Sequence, residues 1–323
     1  MNTIRTITAF AIIALGLSAC GESGGPRSNT ATSGRLLVYV EEGYGPLVRA
    51  LADSFKLRAP DVAIEIRETT ARAAVRDMLD ARIADTAAYD TSAAIAIIIA
   101  RPLLDDERRV ITERRYERTL LELPIAKEAL AVVVPRDAPL QETTVEKLRQ
   151  ALLAEERTGA MLGDGGGTTP LRFIFPSANS GAYAYVRDEL LGDGKDPAQP
   201  VRWVDRSDSI ALLVGAGEGI GLIGWSVALR DSGLIRALKV GSVDSLGAVT
   251  APTRIHITSL VMGLYPLKIP VIGYTLAEAN SPANGFLSWV AQAGDAQQWL
   301  VGQGLEPENV RFRFEAEGGE SRE

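Results

Sequence analysis

Nucleophile, base and metal chemistry all need residue types that this chain nearly lacks. It contains one histidine, His256, and one cysteine, Cys20. Transition-metal sites draw on several His, Cys or carboxylate ligands, and no second histidine or cysteine is present to complete one. A Ser-His-Asp site would have to use His256, which sits in the apolar run 255–260 and reads as a buried or half-buried strand histidine. Residues 224–228 (GWSVA) approach the G-x-S-x-G nucleophile elbow but end in alanine. Gly219, Gly221 and Gly224 satisfy G-x-G-x-x-G, with Asp244 about twenty residues further on. That pattern begins inside the run GIGLIG rather than after it, which fits a closely packed small-residue strand better than a dinucleotide site. The expectation is a protein with no enzymatic activity and no cofactor.

The residues are better suited to holding an anion. Residues 177–181 (SANSG) follow the apolar segment LRFIF and precede a helical pattern. Backbone N–H groups at a helix start point outward and favour negative charge. Asn179 and Ser180 there either cap the helix or donate to a ligand. Arg101 follows the run IAIII and precedes Pro102, so it is a fixed positive charge at a strand's carboxyl end or a surface arginine. Thr69 and Thr70 close the alternating segment VAIEIR before a helix, with the same two readings. All three groups lie at strand-to-helix turns, where open α/β sheets place their ligands.

The elements that must position these turns alternate strand and helix. Residues 35–41 (RLLVYVE) are β-rich, and Tyr44, Leu47, Val48, Leu51, Ala52 and Phe55 then recur on one helical stripe. Pro60 ends that helix. Residues 62–67 alternate as a strand, Ala71, Ala74, Val75, Met78 and Leu79 form a second stripe, and residues 95–99 are apolar on both faces of a strand. A second series starts with strand 129–134 (ALAVVV) and a helix capped by Thr144. It continues with strand 171–175, helix 183–191, strand 201–204, helix 207–214 and strand 219–223. Strand 270–274 and helices carrying Phe286, Leu287, Val290, Trp299 and Leu300 close the chain. The pattern predicts an α/β fold with largely parallel sheets, in two lobes with a ligand cleft between them.

The N-terminus reads as an export signal. Arg5 is the only charge among the first twenty residues, an apolar run follows, and Leu17-Ser18-Ala19-Cys20 ends in small residues. The run is too short for a transmembrane helix of ~20 apolar residues. L-S-A-C resembles the lipobox of bacterial lipoproteins, which implies cleavage after residue 19 and a lipid on Cys20. A lone cysteine leaves no internal disulfide for an exported chain. Residues 20–34 are poor in apolar bulk and read as a flexible tether. The net charge of −7 becomes −8 once Arg5 leaves with the leader, which argues against nucleic acid as a partner.

Five segments in this order resemble the phosphate-type (PstS-like) substrate-binding lipoproteins of ATP-driven importers. They are residues 38–47 (VYVEEGYGPL), 97–103 (IIIARPL), 128–140 (EALAVVVPRDAPL), 175–181 (FPSANSG), and 219–225 (GIGLIGW) joined to 265–270 (YPLKIP). The resemblance implies a two-lobed periplasmic-binding-protein-like clamp hinged on two crossover strands. It implies lobe 1 at 35–133 and 267–314, lobe 2 at 134–266, and an acidic tail at 315–323. It implies capture of phosphate or a similar oxyanion for an ABC transporter permease, on the periplasmic or cell-surface side of the membrane that the lipid anchors. Matched by position, the ligand-facing residues are Glu42, Gly43, Tyr44, Thr69, Thr70, Arg101, Asn179, Ser180, Gly181 and Ala182. Glu42 is matched as an acceptor for the proton of monohydrogen phosphate, which would reject sulfate. The family usually carries hydroxyl side chains where this chain has Gly43, Ala100, and Gly181 with Ala182. Residues 84–94 look like an insertion that brings Tyr89, Thr91 or Ser92 to the cleft or lies on the surface. The lost hydroxyls keep open a different small ligand, or a sensory or structural role.

Overall fold

The computed structural model describes residues 29–83, 93–243, 249–310 and 312. The leader, Cys20, most of the tether, residues 84–92, Asp244 and the acidic tail lie outside the described residues. The first series runs β1 (Ser33–Glu41), α1 (Gly45–Lys56), β2 (Asp61–Thr69), α2 (Ala71–Ile83), β3 (Ala93–Ile99) and α3 (Asp105–Glu113). The long strand β4 (Leu121–Pro135) leads to β5 (Glu142–Thr144), α4 (Val145–Leu153), β6 (Phe173–Pro176), α5 (Gly181–Tyr185), β7 (Val201–Val204) and α6 (Ser207–Gly215). Then come β8 (Ile220–Gly224), α7 (Trp225–Arg230), β9 (Ile235–Ala237), β10 (Lys239–Val243), β11 (Val249–Thr253) and α8 (Ile257–Val261). The chain closes with β12 (Lys268–Thr275), α9 (Pro282–Gln292), α10 (Gly294–Gly302) and β13 (Glu306–Pro307).

One mixed sheet carries the order β2-β1-β3-β12-β4-β8-β6-β7. β1 pairs parallel with β2 and β3, and β6 pairs parallel with β7 and β8. The sheet is less parallel than the strand-helix alternation suggests, because β12 is antiparallel to both β3 and β4. β4 changes partners along its length. Its first half, through Ala129, pairs with β12, and its second half pairs with β8 and β9. β4 and β12 are therefore the crossover strands between two α/β halves. A smaller sheet, β11-β10-β5, flanks the second half.

Strands buried on both faces divide their side chains between two cores. On β3, Ala96 and Ile98 join the large cluster under α1 and α9, while Ile97 and Ile99 face Val75 and Met78 of α2. On β4, Leu130, Val132 and Val134 join the large cluster, while Ala131 and Val133 meet Ile210 and Val214 of α6. The period of two along a strand produces this division. Between α1 and α9 the packing is aromatic, with Phe55 edge-on to Phe286 at 5.4 Å between ring centroids.

Several sequence expectations shift. α1 stops at Lys56, ahead of Pro60. The helix expected at 183–191 starts at Gly181 and its second turn widens into a π-helix over Val186–Leu190. Residues 255–260 do not form a strand. His256 is exposed and caps α8, its Nδ1 accepting the Thr258 N–H at 3.2 Å while Ser259 Oγ accepts the His256 N–H. Apolar content alone misled there, and the reciprocal capping pair was the better signal. Residues 29–34, read as tether, belong to the body. Ala31 donates its N–H to Asn280 Oδ1, and Ser33 and Gly34 open β1. The glycine pattern at 219–224 is strand β8, packed so closely that a Cβ on Gly221 would lie 2.5 Å from Ile210.

Phe286 is fully buried between α1 and the sheet. Phe286→Ala is expected to cost about 3–5 kcal/mol, read as a lower urea midpoint at unchanged m-value. A loss below about 1 kcal/mol would show that this face collapses without strain.

Candidate functional site

Three strands of the sheet, β1, β3 and β6, end at the same gap, and the chain leaves each through a turn. The turn after β1 carries Glu41, Glu42, Gly43 and Tyr44. Glu41 is buried, with 4 % of its surface exposed, as is Tyr44. One carboxylate oxygen accepts the Ala100 N–H at 2.7 Å, from the turn after β3. The other accepts the Gly181 N–H at 2.6 Å, from the turn after β6. Turns from both α/β halves thus converge on one oxyanion. Burial pushes the Glu41 carboxyl above the usual carboxylate range, while the two N–H donors and the nearby Arg101 charge oppose that rise.

A second buried carboxylate lies beside the first. Glu128 on β4 is fully buried and accepts the Tyr44 hydroxyl hydrogen bond together with the Ser226 N–H at 2.5 Å. Burial is the main cause that raises its carboxyl, opposed by these donors. The Tyr44 phenol is pushed well up by burial and by Glu128, so it remains a donor. Further contacts cross the same gap. Arg72 N–H donates to the Asn179 carbonyl, and Arg230 donates to the Gly43 carbonyl at 3.0 Å.

Close approach explains the small residues here. Gly43 turns with φ +91°, a region that strains other residues, and a Cβ there would lie 2.8 Å from Val227. A Cβ on Gly181 would lie 2.4 Å from the Ala100 carbonyl oxygen. The space left among Glu41, Glu42, Tyr44, Thr70, Ser180 and Ser207 is about 20 Å³, which accommodates the centre of roughly one water molecule.

The ligand-facing residues matched from sequence are not all at this gap. Glu42, Tyr44, Thr70, Ser180 and Ala182 line it. Gly43 and Gly181 contribute backbone at its edges, as described. Thr69, at the end of β2, uses its carbonyl to accept the Glu42 N–H from the neighbouring turn after β1. Asn179 is exposed and reaches Arg72 only through its carbonyl. Arg101 offers no free charge to the gap. Its guanidinium is buried and forks onto both oxygens of Glu107 at 2.8 Å, with a further bond to the Pro102 carbonyl. Glu107 also receives Arg72 at 3.0 Å, and Arg72 holds the Asp106 carboxyl down to about 2. Arg101 therefore braces the turn after β3. Ser180 caps α5 by accepting the Tyr183 N–H. Glu42 is half-buried, and burial raises its carboxyl, with Arg206 opposing and Asp205, Glu68 and Asp208 adding to the rise.

Sequence reasoning missed Glu41, Glu128, Ser207 and Ser226. A signal was present for Glu128, a carboxylate inside the apolar run 125–134, because a buried charge needs partners. Nothing in the sequence distinguished Glu41 from its neighbour Glu42.

The raised carboxyl of Glu128 carries a sign that can be measured. A carboxyl whose folded pKa lies above its unfolded one favours the fold below the unfolded pKa, and that contribution is lost as pH rises through the folded value. Wild-type stability relative to Glu128→Gln is therefore expected to fall as pH rises above the unfolded carboxyl range of about 4, followed by urea unfolding at several pH values. A difference that stays flat or grows with pH would show that the donors outweigh burial.

The sequence matches the model of the PBP superfamily domain over residues 25–293. It is 26% identical over 296 residues to Protein SphX of Synechococcus elongatus, covering 88% of this chain and 81% of that one. Among solved structures it is similar to a putative phosphate ABC transporter substrate-binding protein with bound phosphate from Clostridium perfringens. The TM-score is 0.67 at 18% identity, over 84% of this chain and 99% of that one. An ABC-type phosphate transport receptor from Vibrio cholerae gives a TM-score of 0.58 at 15% identity, over 84% and 99%. Two α/β halves, two crossover strands and turns that meet on one oxyanion agree with the family match, and the chain belongs to the PBP superfamily.

Proposed function

We propose that this chain is a solute-binding protein, not an enzyme, that captures phosphate or a similar oxyanion between its two halves for an ABC importer. The convergence of the Ala100 and Gly181 N–H groups, from opposite halves, on a single carboxylate carries this reading. Backbone N–H donors in a site shielded from water make charge-assisted bonds, which favours binding of a desolvated anion. The solved relative from Clostridium perfringens holds phosphate, which supports phosphate as the solute. Lobe 1 comprises residues 35–133 and 267–314, and lobe 2 comprises 134–266, joined through β4 and β12 with the solute held between them. The ligand-facing set is the turn Glu42, Gly43 and Tyr44, with Thr70, Ser180, Gly181 and Ala182. Thr69, Arg101 and Asn179 position these turns.

The same reading includes export and anchoring. Residues 1–19 are the signal peptide, Cys20 carries the lipid, and the protein works on the periplasmic or cell-surface side beside its permease. No helix among the described residues is long and apolar enough to cross a membrane. In the producing cell, Cys20→Ser is expected to move the protein from the detergent phase to the aqueous phase on Triton X-114 partition. Retention of the variant in the detergent phase would remove the lipid assignment.

The narrow gap favours a second reading, a smaller anion than phosphate. Calorimetric titration at neutral pH and low salt separates the two. Phosphate is expected to bind with measurable heat and to raise the melting temperature, while sulfate does neither. Formate or acetate outcompeting phosphate would favour the smaller ligand, and no response to any anion would end the solute-capture proposal.

A further inference from the structure

Glu41 uses the donors that the solute-capture reading assigns to a ligand. Both of its oxygens are satisfied, one by Ala100 and one by Gly181, and the residue is buried. Little space remains beside it, about 20 Å³. The positions where the family carries hydroxyl side chains are those where the halves touch. Gly181 meets Ala100, and Gly43 meets Val227 and Ser207, at distances that leave no room for larger side chains. Tyr44 and Ser226 N–H, from opposite halves, meet on Glu128 in the same way. The halves are thus closed on carboxylates that belong to the chain.

We propose that Glu41 is a resident occupant of the oxyanion site, an internal ligand that holds the halves together without solute and must leave before an external anion enters. This rests on the solute-capture reading above. A carboxylate attached to β1 competes at a high effective concentration. A solute therefore sees only the fraction of molecules in which Glu41 has swung out, and its apparent affinity falls by that fraction. Glu41 sets both the threshold for capture and the size of anion admitted. It also inverts the usual response, because the protein is compact before the solute arrives and has no open state to close.

The full mature chain, Glu41→Ala and Glu41→Gln are compared by phosphate calorimetry and by small-angle scattering with and without phosphate. Glu41→Ala is expected to bind phosphate at least tenfold tighter than wild type. Without phosphate it has the larger radius of gyration and contracts on adding it, whereas the wild type keeps one radius throughout. Glu41→Gln preserves the side-chain volume, guards against a misfolded alanine variant, and is expected to bind phosphate between the two. Phosphate binding that weakens or stays equal in both variants overturns the internal-ligand inference and leaves solute capture standing. Should no protein bind phosphate, phosphate capture fails and scattering alone decides the inference. A wider Glu41→Ala supports it, and equal radii overturn it.

Discussion

A carboxylate removed from water with no cation in direct contact is the constraint around which this site is built. Burial alone would force the Glu41 group to take up a proton or leave. Two backbone N–H groups at hydrogen-bond distance keep it in place, and bonds of this charge-assisted kind are the strong ones. Those donors come from turns that are far apart in sequence, so their meeting requires β1, β3 and β6 to end at one level of the sheet. The order of strands, the crossover by β4 and β12, and the small residues at the contact all serve that requirement.

The two arginines beside the turn after β3 are already paired. Arg101 is neutralised by Glu107, and Arg72 is shared between Asp106 and Glu107. A free guanidinium would hold any anion by charge alone. Backbone donors at fixed positions select by shape and by the number of lone pairs presented. The acidic groups around Glu42 strengthen that selectivity, because they disfavour an anion that does not satisfy every donor.

Much of the architecture was legible because it depends on periodicity. The buried runs at 95–99 and 129–134 became β3 and the second half of β4, and Thr144 caps α4 by accepting the Lys147 N–H. The turns that form the gap were also legible, since they follow apolar strands. The residue that occupies the gap was not. Glu41 and Glu42 are chemically identical neighbours, and only the fold decides that Glu41 is the buried one of the two. The pairing of Arg101 was hidden for a related reason. Its partner Glu107 lies on the first turn of α3, an element with too little apolar pattern to stand out. His256 shows the converse, a residue in an apolar run whose role is set by one local hydrogen bond.

The placement of β12 has a consequence for how the chain acquires its structure. This strand lies between β3 and β4 in the sheet yet is among the last to be synthesised. Until residue 275 has emerged, β3 has an unpaired edge and β4 lacks its neighbour, so the first half cannot complete its sheet from the residues made before it. Long-range pairing of this kind is slow. The join between β3 and β4 must therefore wait until β12 has been made, whereas the β4-β8-β6-β7 part of the sheet has all its strands before that.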